Sequence, residues 1–317
     1  MKKFMLALSL SLAIGTVITL NSCQKGKNNL ADDSISAQDN ASINNAINAT
    51  TDDAASAAGQ VKSFSGKTNG WWNSAVLCGV TIVDSGTVIA GNKTISITYD
   101  GTTTCNGVIR SGNVTVQNSS GITWNTAGSV LTVTFNALAI TDPISGNTYT
   151  VNGTHTLTKE TNGLEWQIIA EVLTNQTVTR RNQSSNMSIT FPDGSVRTWS
   201  VDRTRSWSSS VTGSVNTITV TVSSENANHI DATGTNRYGN TFTNTIVTPI
   251  MANNNLSCTW KPYQGETQHV VNNRTTTVVF GTNLLGTQIG NATTCGDGYY
   301  ITYSNGIRTL HRFVAYW

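Results

Sequence analysis

Apolar and polar positions alternate with a period of two over most of the chain. "KTISITYDG" places Ile95, Ile97 and Tyr99 on one side, "SVLTVTFNALAI" sets Leu131, Val133 and Phe135 against Val130, Thr132 and Thr134, and "NTITVTVSS" groups Ile218, Val220 and Val222. Successive side chains of a strand point to opposite faces, so each run predicts a half-buried strand. Glycine-containing turns separate the runs: "SGN" at 145–147, "PDG" at 192–194, "YGN" at 238–240 and "SNG" at 304–306. Connections this short join antiparallel neighbours, because parallel pairing needs long crossovers. The spacing predicts roughly sixteen strands in about 250 residues. "SGNTYTVNGTHTLT", "DGSVRTWSVDRTRSW", "YGNTFTNTIVTPI" and "NGIRTLHRFVAYW" each set a Gly turn before a Thr- and aromatic-bearing strand. The expected fold is all-β: a large antiparallel meander of hairpins forming a curved sheet, a half-barrel or a sandwich.

The alternation is absent before residue 69. Lys2 and Lys3 precede an uncharged apolar segment, Phe4 to Leu20, which closes on Leu20-Asn21-Ser22-Cys23. About 17 apolar residues after a basic start form a secretory signal rather than a membrane span. Residues 24–68 are rich in Ala, Asn, Ser and Asp and poor in large apolar side chains, as a tether would be. Ile43, Ala46, Ile47 and Ala54 to Ala58 recur at loosely helical intervals, leaving two readings: one weak helix near 39–58 or a disordered spacer. The expected organisation is therefore a signal peptide over 1–22, a tether over 23–68 and a β domain over 69–317.

Composition narrows the function. Charged residues make up 11% of the chain and the net charge is +2, so nucleic acid is not expected as a partner. Setting Cys23 aside leaves four of the five cysteines, Cys78, Cys105, Cys258 and Cys295, an even number in an exported chain. Of their three pairings the local one, Cys78–Cys105 and Cys258–Cys295, is favoured because each closes a short loop between neighbouring strands. No metal or cofactor is expected: the cysteines lack Cys-x-x-Cys spacing, and His155, His229, His269 and His311 are scattered along surface strands or loops.

The ending at Cys23 resembles the bacterial lipoprotein signal, in which the cysteine becomes the acylated N-terminus. Leu20, Ser22 and Cys23 match that lipobox and Asn21 departs from its usual small residue. "ITYDGTTTCNGVIRSGNVTV", "SITFPDGSVRTWSVDRTRSW", "ATGTNRYGNTFTNTIVTPI" and the cysteine pair at 258 and 295 resemble a family of lipoproteins of Bacteroidetes-type bacteria. The chain departs from that pattern at "TVVFGTNLLGTQIGNATTCGDGYY". The resemblance implies an outer-membrane protein held by its lipid anchor, with palmitate among the acyl chains, and it carries no catalytic residues. Asp33-Ser34-Ile35 resembles the O-glycosylation signal of such bacteria, making Ser34 a glycosylation candidate. "QKGKNN" after Cys23 lacks the acidic residues of surface-exported relatives, which favours a periplasm-facing anchor over the cell surface.

No catalytic set is legible. There is no Gly-x-Ser-x-Gly elbow and no glycine-rich loop before a helix. Glu165 and Glu171 share parity on "LEWQIIAEVL", but six residues of strand would separate them by about 20 Å, too far to act on one bond. The most suggestive surface is "RTWSVDRTRSW", whose Arg197, Trp199, Arg203, Arg205 and Trp207 share one face. Such a stripe either stacks sugars and clamps anions or simply covers a neighbouring strand. The C-terminal aromatics of "RFVAYW" resemble an outer-membrane barrel strand, but the strands lack a sustained lipid-facing apolar side. The expectation is a lipid-anchored envelope protein with a non-catalytic structural or binding role, its partners the membrane and an envelope protein or glycan. The alternative is glycan capture or carbohydrate chemistry along an exposed Trp/Arg strand.

Overall fold

The computed structural model describes residues 29–61, 64, 77–83, 88–89, 92–105, 107–143, 146–226, 228–254, 261–272, 274–304 and 309–316, with only the backbone at 29–34, 38–42, 45, 88–89 and 92. Cys23, Trp71, Trp72, Cys258 and Trp260 lie outside these residues.

The strands expected from period two are present: β1 (Val80–Val83), β2 (Val88–Ile89), β3 (Asn92–Cys105), β4 (Val108–Asn118), β5 (Val130–Thr141), β6 (Thr148–Lys159), β7 (Thr177–Thr190), β8 (Val196–Thr212), β9 (Val215–Ser223), β10 (Ile230–Thr235), β11 (Thr241–Asn253), β12 (Pro262–Val271), β13 (Arg274–Thr282), β14 (Gly298–Ser304) and β15 (Thr309–Ala315). They form one fifteen-stranded antiparallel sheet, a meander from β1 to β15 and not a two-layer sandwich. Its order is broken at two places: β1 and β2 both pair with β3 and not with each other, and a second break follows β8. Strands β9 and β10 both lie between β8 and β11, with β10 beside Thr198–Val201 of β8 and β9 beside Thr204–Thr212.

The sheet bends where bulges on β5 and β7 line up on the two sides of β6. Register slips occur at one level across β4 to β8, with the extra residues on β5, between Phe135 and Leu138, and on β7, between Ser184 and Met187, where Ala137 and Asn186 take positive φ. A bulge inserts one unpaired residue and turns the strand, and a row of them bends the whole sheet. Glycine is needed in this row. Gly153 has φ 128°, and a Cβ there would sit 2.7 Å from the Met187 sulfur and 2.9 Å from its Cα.

The concave face holds α1, a helix over Asn29–Gln60. This corrects the expected tether of residues 23–68: α1 and the strands share one core, in which Ile43, Ile47, Ala54 and Ala58 join Ile95, Val114, Leu131, Phe135 and Val151. Buried positions Ala37, Ile43, Ala46, Ile47, Thr50, Ala54 and Ala57 follow the three-to-four spacing of one helix face. From Asp53 to Val61 every residue is buried, so the C-terminal end of the helix is enclosed on all sides. The composition misled because the large side chains of this core come from the sheet. The helix supplies alanine, threonine and glycine that let it approach closely, as at Gly59, whose Cβ position lies 3.0 Å from Leu164.

A second, short helix α2 (Glu165–Ile169) stands where "LEWQIIAEVL" was expected to be a strand. Leu164 and Ile168, four apart, are both buried, and a single turn places them together. Two satellite cores complete the packing: Ile168, Val178, Trp207 and Ile218 beside α2, and Val278, Tyr299 and Ile301 in the last strands.

Candidate functional site in the concave face

Charged side chains converge on the concave face, between α1 and the strands. The half-buried Asp52 and the buried Asp53 lie toward the C-terminal end of α1. The Asp52 carboxylate accepts hydrogen bonds from Arg180 on β7 at 2.7 Å and from Arg205 on β8 through the same oxygen. Asp53 pairs with Arg110 on β4 at 2.8 Å and accepts from the Tyr99 hydroxyl at 3.1 Å. A third carboxylate, Glu165 of α2, binds Lys159 at 2.7 Å and Arg180 at 3.4 Å. Farther along, Arg203 pairs with Asp231 at 2.8 Å, and Asn244 donates to Asp231 at 3.0 Å. The two helical carboxylates thus clamp α1 to strands from both sides of the bulge row.

Aromatic rings back the cations. Arg180 and Arg205 lie 4.9 and 4.8 Å from the Trp207 ring, Lys159 lies 4.4 Å from the Trp124 ring, and Arg197 lies 4.4 Å from Phe242. Where water is excluded these contacts add to the ion pairs, because an uncompensated buried charge is costly.

The titration shifts follow from burial. Desolvation, only partly offset by Arg110, pushes the Asp53 carboxyl up to about 6. Burial likewise raises Asp231 and lowers the Lys159 ammonium. Glu165 is raised by burial, but Lys159 and Arg180 outweigh this and hold it below its usual range. His155 and His269 are pushed down to about 3, by burial first and by neighbouring arginines second. Both are therefore neutral. His269 bonds Ser36 of α1 at 3.0 Å, and neither ring nitrogen of His155 has a hydrogen-bond partner among the described residues.

These positions correct several expectations. Arg197, Trp199, Arg203, Arg205 and Trp207 do share one face of β8, but that face is the concave one and all five are buried. The stripe is covered by α1 and the facing strands, which overturns its reading as an exposed sugar platform. His155 and His269 are core residues rather than surface ones, whereas His229 and His311 are exposed. Glu165 is buried and its former partner in parity, Glu171, is exposed, so the two do not meet. Sequence reasoning missed Asp52 and Asp53 altogether. Two adjacent acids inside an alanine-rich run were visible there, but nothing local marked their distant partners.

The expected disulfide Cys78–Cys105 is formed. Cys295 is also disulfide-bonded, while Cys258 lies outside the described residues. Ser34 falls within α1, and only its backbone is described. Among the described residues no cluster of His, Cys, Asp and Glu could hold a metal ion, and no helix is long and apolar enough to cross a membrane.

The convex face is different in kind. Ser96, Thr115, Thr134, Thr154 and Ser185 form one cross-strand row of hydroxyls from β3 to β7. An open cavity of ≈ 280 Å³ lies where β8 changes partner, lined by Gln183, Ser184, Ser200, Asp202, Asn226 and Asp231. Asp202 in it is engaged by Arg181 through two hydrogen bonds of 2.8 and 2.7 Å. No family model matches the chain, no curated protein matches it, and no solved structure matches it.

Proposed function

We propose that the protein is a lipid-anchored component of the bacterial outer membrane, acylated at Cys23 and facing the periplasm, with a non-catalytic structural or binding role. The single observation that carries the non-catalytic reading is the state of the concave face. The described carboxylates of the ion pairs that converge there are engaged with cations, all of them buried except the half-buried Asp52, and α1 occupies the space a substrate would need. A general acid or base needs access to the reacting atoms and a proton path, and the paired interior of this sheet offers neither. Partners are left with the convex hydroxyl rows and the loops. Anchoring rests on the lipobox-like Leu20-Asn21-Ser22-Cys23, since several acyl chains hold a protein durably where one does not. The test is membrane fractionation of Cys23→Ala, which should release the mature domain; retention would remove the anchor. Protease protection on intact cells, lost on permeabilisation, is the outcome expected of the periplasmic orientation.

A further inference from the structure

Among the exposed large apolar side chains described, Leu285 at 81% and Leu284 at 68% are the two most exposed, and they are adjacent. Isolated surface leucines are common, but two consecutive ones at a loop tip are a feature to explain.

The loop that carries them, between β13 and β14, is fixed. The Asn283 side chain accepts hydrogen bonds from the amides of Leu285 and Thr287, both at 3.0 Å. Gly286 donates to the Asn283 carbonyl at 3.0 Å and packs on the Tyr300 ring, where an added Cβ would lie 2.8 Å away. Behind the tip, Ile289 and Gly290 donate to the Gly281 carbonyl at 2.9 and 2.8 Å. The leucines are thus held outward rather than exposed by a loop free to fold them in.

Charge makes the second argument. From Asn283 to Gly296 no side chain is ionisable apart from Cys295, which is disulfide-bonded. Such a segment enters an apolar phase without desolvating a charge. Lys261 precedes β12, whose Tyr263 carbonyl packs against Gly281 and Gly290 at the base of the loop, and half-buried Tyr300 and Tyr316 stand there too. Lysine and tyrosine at the foot of an apolar tip suit the headgroup region of a bilayer.

The third argument is position. α1 reaches the same arm of the sheet: it contacts β13 and β14, and its Ser36 bonds His269 of β12. Five residues lie between Cys23 and Asn29, a reach of at most about 20 Å. α1 thus reaches the strands that carry the leucine tip, meeting β12 at His269, which pairs with Thr276 toward the end of β13 away from the tip.

We propose that Leu284 and Leu285 form a membrane peg that inserts into the lipid surface and sets the orientation of the β domain on it. The inference rests on the lipid-anchor reading above. It is tested with the full acylated chain in liposomes of phosphatidylethanolamine and phosphatidylglycerol, carrying an environment-sensitive label at Thr287→Cys and nitroxide lipids as quenchers. The label should be quenched severalfold more strongly than one at Ser185→Cys on the convex face. Leu284→Asn/Leu285→Asn should abolish the difference while leaving flotation with the liposomes unchanged. Equal quenching at both positions in floating protein would overturn the peg and leave the anchor intact. Failure to float would overturn both.

Discussion

The two faces of the sheet are made from the same strands and obey opposite rules. On β8, Arg197, Trp199, Val201, Arg203, Arg205 and Trp207 are buried against α1 and neighbouring rings, while Thr198, Ser200, Asp202 and Ser206 face outward between them. Inside, each charge needs a partner placed to within a few tenths of an ångström, because interactions there are strong and their absence is costly. Outside, water can satisfy whatever a neighbouring hydroxyl does not. The same residue type therefore has different consequences on the two sides: Arg180 and Arg205 help hold the helix, whereas Arg181 makes an exposed pair with Asp202. Fold stability is concentrated in the concave face, and the convex one is free to vary.

The sharpest way to test that contrast is acid. His155 and His269 titrate near 3 in the fold against 6.5 unfolded, so the unfolded chain takes up protons first as pH falls. Their contribution to stability is complete above about 6.5 and is lost progressively toward 3. Asp53 works the other way. Its raised value means stability present below about 4 and lost as pH rises through about 6. Two histidines with larger shifts outweigh one aspartate, so chemical denaturation should show a fall of several kcal/mol between pH 6.5 and 4. His155→Leu should flatten that slope. A slope unchanged in the variant would mean that His155 is solvated.

Glu165→Ala should come next. It leaves Lys159 without its carboxylate and removes one of the two carboxylate partners of Arg180, at a cost of about 3–5 kcal/mol in urea unfolding. Replacement by Gln should recover part of this through hydrogen bonding. Gly153→Ala should cost about 1–3 kcal/mol, since it strains the backbone and presses Met187 in the bulge row. The convex face should give the smallest effects. Breaking the exposed Arg181–Asp202 pair should change stability by about 0.2–1 kcal/mol and less at high salt. Thr134→Ala should stay within about 0.5 kcal/mol. A convex substitution as costly as Glu165→Ala would show that the outer face is covered in the working protein.

How far the sequence could be read depended on which kind of signal each element carried. Strands such as Asn92–Cys105 and Val130–Thr141 were legible because alternation and glycine turns are local properties, and the Cys78–Cys105 bridge followed from the short loop it closes. The helix was half legible. Ile43, Ala46 and Ile47 marked its period, but its extent and burial were hidden because its packing residues are small. The buried ionic cluster was not legible, because each of its members reads as an ordinary surface residue until its partner is known.

The amino-acid sequence on its own determined the antiparallel meander and which side chains of each strand share a face, since both depend on neighbours a few residues apart. Only the tertiary structure decided which face is the inside. Period two assigns Arg197, Trp199, Arg203, Arg205 and Trp207 to one side of β8 without saying whether water or protein lies there. Asp52 reaches Arg180 across 128 positions and Arg205 across 153, and it is that distant carboxylate, with α1 behind it, that lets a face bearing three arginines be buried. Charges this far apart in the chain meet only after the sheet has curved, so their pairing cannot be seen in any local stretch.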